Sequence, residues 1–460
     1  MKKVVFHTIG CRLNQAETAV LVDRLKTMGY ERVAFGQPTD LLILNTCSVT
    51  EGAEVDCRRA IRRTLRQSPQ AFVAVTGCYA QTGLQVLQAI PGVDLVLGNQ
   101  FKMDLPGYVR PETLAKRNSS PTVYHSRTIA REDFSQEGVG DYSATRANLK
   151  IQDGCNFMCS FCLIPYARGR ERSRQIDDAL REAEQLVDRG HKEVVLTGVN
   201  IGQFSSRGGE ILDLIERLEA IPNLARIRIS SIEPTTIPDA LLDYMASSSK
   251  LCRFLHVPLQ SGDDDILRAM NRRYTVQEYI DWVHLAARKV PEVCVGTDLM
   301  VGFPGEDEAQ FERTCAVVSD LPLAYFHVFS YSERPGTPAS RTGTAVPGTT
   351  IKCRSKMLSD LSRTKRTEFY QQFINRDVSV LFESSESEGW WNGLTDNYIR
   401  VRVPSTLALE NEIHSVRLTG GCGEAALGHV TSCETPKRFP RDLPIIPNIH
   451  QGSHDLSMRW

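Results

Sequence analysis

Short apolar runs alternate with amphipathic stretches along the first hundred residues. KKVVFH, DLLILN, AFVAVT and DLVLGN are each long enough for a strand. DLLILN and AFVAVT are apolar almost throughout, as strands covered on both faces are. Apolar spacing predicts helices between them, over Ala16–Met28, Ala53–Gln67 and Leu84–Ala89. Strands and helices in alternation predict a parallel sheet with covered faces. From Pro106 to Arg146 the periodicity disappears and the polar strings NSSP and EGVGDYS predict a linker. Six further strand candidates follow: LKIQD, KEVVLTG, ARIRISS, RFLHVPL, VGTDLMV and FHVFSY. Helical patterns separate them, among them Asp177–Arg189, Ile211–Ala220, Val276–Lys289 and Glu308–Ser319. Six βα units predict a partial (βα)6 TIM-like barrel, whose working face lies at the C-terminal strand ends. After a basic helical stretch, Ile351–Phe373, the runs DVSVLFE, WNGLTDNYIRVRV, EIHSVRLT and ALGHVTS predict a small β-barrel. The chain reads as a multidomain α/β protein divided into 1–106, a linker 107–146, 147–373, 374–433 and a Pro-rich tail 434–460.

Composition narrows the function classes. A net charge of −1 over 460 residues gives no global field for nucleic acid or membrane, so polyanion contact must come from local patches. No run approaches a membrane-spanning length and MKKVVFHTIG has no signal-peptide core, so a cytoplasmic protein without membrane contact is expected. Thirteen cysteines in a reducing compartment point to metal or catalysis where they cluster. Cys57, Cys252, Cys294, Cys315, Cys353, Cys422 and Cys433 are scattered and read as buried packing.

The other six cysteines carry the chemistry. GCNFMCSFC places Cys155, Cys159 and Cys162 at C-x3-C-x2-C directly after a strand. A structural zinc site is normally closed by four ligands. Three thiolates without a fourth suit a [4Fe–4S] cluster with one open iron. Cys11, Cys47 and Cys78 each end a strand (TIGC, LNTC, VTGC) and precede a helix. A parallel sheet would bring those positions to one edge, where ligand sites form. The pattern alone leaves open a shared site or three unrelated buried thiols.

The cysteine segment after the first barrel strand resembles the radical S-adenosylmethionine enzymes. The chain over roughly residues 1–433 resembles the methylthiotransferases, on GCRLNQAET, LNTCSVT, TGCYAQ, KIQDGCNFMCSFCLIPYARGRERSR, VVLTGVNIG, RIRISSIEP, FLHVPLQSGDDDILRAMNRRYT, TDLMVGFPGE, FSYSERPGTPA and GLTDNYIRV. The resemblance implies a three-cysteine N-terminal domain, a radical S-adenosylmethionine barrel and a C-terminal barrel of the TRAM type. It implies two [4Fe–4S] clusters, Cys155, Cys159 and Cys162 holding the radical cluster and Cys11, Cys47 and Cys78 an auxiliary one. S-adenosylmethionine would bind the open iron of the first, with Phe161 near its adenine. GCRLNQAET, PYARGRERSR, RIRISSIEP and HVFSYSERPGTPA are most similar to members that methylthiolate C2 of N6-threonylcarbamoyladenosine 37 in transfer RNA. That C–H is neither acidic nor electrophilic, so a cofactor must open it and no side-chain catalyst beyond the cluster ligands is expected. Transfer RNA and an electron donor such as flavodoxin or ferredoxin are the implied partners, with a monomer as the default state.

Weaker candidates complete the reading. Gly198, Asn200, Ser231, Glu233 and Gln260 sit at expected strand ends, where S-adenosylmethionine would lie, or merely cap loops. Arg168, Arg170, Arg172 and Arg174 follow the cluster motif and either meet substrate phosphate or form a solvated basic loop. Residues 374–433 hold four arginines and no lysine against eight acids, a net of −4, which is unexpected in an RNA reader. Trp390, Trp391 and Tyr398 offer stacking faces or core. Arg59, Arg62, Arg63 and Arg66 recur at helical spacing and offer a basic face, as does Lys352–Arg366. The acidity keeps a ribosomal-protein side chain as an alternative substrate, beside isopentenyl-adenosine in transfer RNA. A non-catalytic metal-containing RNA-binding protein is the remaining class.

Overall fold

The computed structural model describes residues 1–48, 51–117, 119–129, 134, 140, 145–387, 389–421 and 423–432. The N-terminal unit runs β1 (Lys3–Thr8), α1 (Arg12–Thr27), β2 (Glu31–Arg32), β3 (Leu41–Thr46), α2 (Glu51–Gln67), β4 (Phe72–Gly77), α3 (Cys78–Thr82), α4 (Leu84–Gln88), β5 (Leu95–Leu97), α5 (Leu105–Tyr108) and β6 (Thr122–Tyr124). Its six strands form one parallel sheet, in the order β2-β1-β3-β4-β5-β6. β3 is buried at every position because its alternate side chains enter different cores. Leu41 and Ile43 pack with Val4, Leu21 and Leu25, while Leu42 and Leu44 pack with Val5, Ile61 and Val73. The sheet continues past residue 106: β6 pairs with β5 from inside the segment read as a linker. Three residues among polar neighbours are too few to show an alternation.

The central unit adds β7 (Arg146–Lys150), β8 (Gln152–Asp153), α6 (Ile164–Arg168), β9 (Arg172–Ser173), α7 (Ile176–Asp188), β10 (Glu193–Thr197), β11 (Ser205–Ser206), β12 (Gly209–Glu210), α8 (Ile211–Glu219), β13 (Arg226–Ile229), α9 (Asp239–Ser247), β14 (Phe254–His256), α10 (Asp264–Ala269), α11 (Val276–Lys289), β15 (Cys294–Val301), α12 (Glu308–Asp320), β16 (Tyr325–Ser330) and α13 (Gly348–Gln371). Two parallel ladders, β13-β10-β7 and β14-β15-β16, meet through bridges at Ile227–Leu251 and Ser231–His256. Together they form the expected open six-stranded barrel. Leu149, Leu196, Ile227, Leu255, Leu299 and Phe326 join the helices in one large core. The alternate, inward positions are polar: Lys150, Glu193, Arg228, His256, Asp298 and His327. Helix α1 lies against β7, and α13 against β16.

The last strands, β17 (Asp377–Ser387), β18 (Trp390–Thr395), β19 (Arg400–Pro404), β20 (Ile413–Gly420) and β21 (Ala426–Ser432), close a small barrel in the order β17-β18-β19-β21-β20. Its core is shared: Phe254, Cys294 and Tyr325 of the central unit pack with Val380, Phe382, Val401 and Val416. Tyr398 stacks on Phe254 at 4.2 Å, and buried Arg228 donates to the carbonyls of Thr395 and Asp396. Tyr398 is thus part of the joint between the two units. Of the cysteines read as packing, Cys57, Cys252 and Cys294 are buried and Cys315 is half-buried. Cys353 departs from that reading: it lies exposed on α13. Cys422, Cys433 and the 434–460 tail lie outside the described residues.

Candidate active site and cluster sites

Cys155, Cys159 and Cys162 lie on the loop between β8 and α6, at the C-terminal face of the barrel. Backbone N–H groups of Phe157 and Ile164 point at Cys155 Sγ (3.3 Å) and Cys162 Sγ (3.4 Å), and Arg272 Nη1 donates to Cys159 Sγ at 3.5 Å. Donors aimed at all three sulfurs are what thiolates bound to iron require. Burial, with lesser repulsion from the neighbouring thiols, pushes Cys155 up to about 11 and Cys162 to about 12. Without a cation among them the three thiols stay protonated at neutral pH.

The N-terminal cysteines occupy one sheet edge. β1, β3 and β4 are neighbours, and their paired registers put Cys11, Cys47 and Cys78 just beyond the same end. Gly10 and Gly77 make the turns, with φ of +104° and +98°. A Cβ on Gly10 would lie 2.7 Å from Cys47 Cβ and 2.9 Å from its Sγ, so the first cysteine loop rests on the second. Cys47 and Cys78 are buried and Cys11 is exposed. Asn99 Nδ2 reaches Cys78 Sγ at 3.8 Å and donates to the Ala167 carbonyl at 2.6 Å, tying this edge to α6 just after Cys162.

An ionic seam joins the two cysteine loops. Arg168, fully buried, donates to Glu17 (3.0 and 3.1 Å), Asp153 (3.0 Å) and Asn14 Oδ1 (2.6 Å). Lys102 and Lys150 also pair with Glu17, at 2.6 and 2.9 Å. Burial alone would raise the Glu17 carboxyl, but Arg168, Lys102 and Lys150 outweigh it and hold the group well below the usual range. The expectation that Arg168 and Arg174 meet substrate phosphate is therefore corrected. Arg168 is committed to the seam, and buried Arg174 pairs with Asp178 and Glu182. Arg172 is also buried and pairs with Asp153, while Arg170 alone of the four is exposed.

Residues 149–318 match the model of the Radical SAM superfamily, and residues 3–98 that of the Uncharacterized protein family UPF0004. The threonylcarbamoyladenosine tRNA methylthiotransferase MtaB of Bacillus subtilis (strain 168) is 37% identical, over 91% of this chain and 94% of that protein. The chain belongs to the methylthiotransferase family. The Aquifex aeolicus (strain VF5) protein of the same name is 36% identical over 87% of this chain and 96% of its own. A tRNA-2-methylthio-N(6)-dimethylallyladenosine synthase of Wolbachia pipientis subsp. Culex pipiens (strain wPip) is 34% identical over 84% and 90%. Among solved structures, the radical S-adenosylmethionine methyltransferase TsrM of Kitasatospora setae shares the fold, with a TM-score of 0.52 at 16% identity over 74% of this chain and 77% of that one. Membership of the radical S-adenosylmethionine superfamily implies S-adenosylmethionine and a [4Fe–4S] cluster.

In this methylthiotransferase one of the other strand-end candidates, Glu233, is tied to the Cys155–Cys162 loop. Glu233 is clamped by Arg272, which is also the Cys159 donor and bonds the Tyr274 hydroxyl. Asn200 is buried; its Oδ1 accepts from Thr236 Oγ1 at 3.0 Å, while its Nδ2 has no partner. Ser230 Oγ, next to Ser231, is likewise buried and unpartnered. Such orphaned donors fit a polar cofactor. Gly198 leaves room for Gln152, whose Oε1 accepts from the N–H groups of Val199 and Asn200, at 2.8 and 3.0 Å. Gln260 holds a φ of +71° while its backbone bridges to Asp298 and Met300. Phe161 is partly buried against the cluster of Ile266, Met270, Phe303 and Ala339. Sequence reasoning did not single out Arg272, Asn99, Ser230, His256 or His327. Arg272 stands in the quoted string NRRYT, but nothing there separates it from Arg273. Among the described residues no helix is long and apolar enough to cross a membrane.

Proposed function

We propose that the protein methylthiolates C2 of N6-threonylcarbamoyladenosine at position 37 of transfer RNA. The observation that carries the reading is the pair of three-thiol sites on abutting loops, one at the barrel mouth and one at the sheet edge. The names of the relatives from Bacillus and Aquifex support the substrate. Cys155, Cys159 and Cys162 would hold the radical cluster, and Cys11, Cys47 and Cys78 the auxiliary one. S-adenosylmethionine would lie against Asn200, Ser231, Glu233, Gln260 and Phe161. When bound, the clusters and S-adenosylmethionine supply the one-electron chemistry and sulfur transfer that an unactivated C–H demands.

The chain's own residues set the stage for that chemistry. Arg272 orients Glu233 and donates to Cys159 Sγ, so one guanidinium links the expected cofactor pocket to a cluster ligand. Asn200 Nδ2 and Ser230 Oγ are buried with hydrogen-bonding capacity unused, which suits a polar cofactor. The Arg168 seam fixes α1, and with it the Cys11 loop, against the strand that leads to Cys155.

Anaerobically reconstituted protein should bind about eight irons per chain, and Cys11→Ala about four, with methylthiolation lost. An unchanged iron count in that variant would overturn the auxiliary site. Nucleoside mass spectrometry of transfer RNA from a deletion strain tests the substrate: methylthio-threonylcarbamoyladenosine should vanish. Loss of methylthio-isopentenyl-adenosine instead would favour the second reading, which the Wolbachia relative's name supports.

A further inference from the structure

The inward faces of β14, β15 and β16 bring His256, Asp298 and His327 together, with ligating atoms within 4.8 Å of one another. His256 Nε2 stands 2.9 Å from Asp298 Oδ1, and its Nδ1 3.2 Å from the Tyr325 hydroxyl. The Tyr325 hydroxyl engages one nitrogen of His256 and the Asp298 carboxylate faces the other, its buried Oδ1 without a hydrogen-bond partner. The His327 ring lies 5.5 Å from the His256 ring and edge-on to Tyr325 at 5.2 Å. His327 is exposed, and among the described residues no hydrogen bond engages its ring nitrogens.

Two imidazoles and a carboxylate are a donor set for a divalent cation. The surrounding charge points the other way. Half-buried Arg366 lies over the Tyr325 ring at 5.5 Å. Burial depresses the His327 pKa, and the charges of His256, Arg366 and Arg400 add to that against Asp298. Arg400 opens β19 two residues after Tyr398, whose ring stacks on Tyr325 at 5.9 Å, and neither it nor Arg366 makes an ion pair among the described residues. A dication would meet the Asp298 carboxylate but also two guanidinium groups without ion pairs, whereas an anion would find those two groups and an imidazole beside one carboxylate. The group also borders the radical site. Asp298 and His256 lie close enough to Glu233 for their charges to bear on it, and Glu233 is clamped by the Arg272 that donates to Cys159.

We infer that His327, Arg366 and Arg400 form the subsite for a carboxylate carried by the substrate base, with the His256–Asp298 pair as its fixed wall. The inference rests on the substrate proposed above, since the threonylcarbamoyl group ends in a carboxylate. An isopentenyl group has neither charge nor hydrogen-bonding atoms, so the subsite would select between the two nucleosides. A phosphate of the RNA backbone is the other anion that could occupy it.

The test uses the full-length holoenzyme and one transfer RNA in two forms, carrying threonylcarbamoyladenosine or plain adenosine at position 37. Arg366→Gln and His327→Ala should each weaken binding of the modified form about tenfold or more, and of the plain form by less than about twofold. Arg366→Lys should recover part of the loss, and the KM for the modified form should rise with the affinity change. Iron content and thermal midpoint report whether each variant folds, and Arg400→Gln at the exposed rim is the substitute for one that does not. Equal losses on both RNAs would assign the arginines to phosphate and overturn the subsite, as would no loss on either. Stoichiometric zinc binding by the wild type, abolished in His327→Ala, would overturn it in favour of a metal. A wild-type holoenzyme that leaves the modified RNA untouched would instead defeat the substrate reading, and the subsite with it, before any variant is compared.

Discussion

Gly10 shows how closely the cysteine loops are fitted. At φ +104°, with Cys47 directly against it, the position tolerates no side chain. Gly10→Ala should push the first two cysteine loops apart and cut bound iron to about half, a loss read by iron assay. Arg272→Ala should leave Glu233 near-buried and unpaired and remove the Cys159 donor, costing about 3–5 kcal/mol in denaturant unfolding. The six candidate cluster cysteines could be singled out because spacing and strand-end position are written in the chain. The setting of the arginines after Cys162 could not be read, because burial is not written there. RGRERSR reads as an evenly basic string, yet α6 ends at Arg168 and Gly169, at φ +78°, turns the chain. Three of the four arginines are then buried against acids: Arg168 against Glu17 and Asp153, Arg172 against Asp153, and Arg174 against Asp178 and Glu182.

At the scale of elements, the seam between α1 and the first barrel strand is the feature most open to test. Arg168→Ala would strand Glu17 and Asp153 among fewer cations, and a loss of about 3–5 kcal/mol is expected in chemical denaturation. The seam also sets an acid limit. The folded-state pKa values of Glu17 and Asp153 lie below their ordinary values of 4.5 and 3.8, so the unfolded chain takes up protons first. Their stabilisation is complete above that range and is lost as pH falls through and below it. Thermal midpoints should therefore hold near neutrality and drop from about pH 5 downward, more steeply in the wild type than in Glu17→Gln. Long helices were placed from the sequence to within a few residues: Val276–Lys289 is found as expected, and α2 begins two residues early. The short α9, α10 and β6 were not, although α8, also of nine residues, and α4, of five, were; β6, with three residues, is too short to reveal an alternation.

The molecule as a whole is less divisible than its composition suggests. The shift from helix-rich to strand-rich pattern near residue 374 is real, but no core boundary coincides with it. Phe254 and Tyr325 are covered by Phe369, Tyr370 and Phe373 and by the interior of the small barrel. A chain ending at residue 373 should expose that surface, bind a hydrophobic dye and lose solubility. Full-length protein should melt the two units in one calorimetric transition. The acidic small barrel thus has a structural task whatever it does with RNA.

That shared core also bears on how the protein is made. Val416, Leu418 and Ala426, which help to cover Phe254 and Tyr325, are among the last described residues of the chain. On the ribosome the barrel's aromatic flank stays bare until they emerge, long after all six candidate cluster cysteines have been synthesised. Iron and sulfide delivered to the nascent chain would therefore reach it while that flank is still bare.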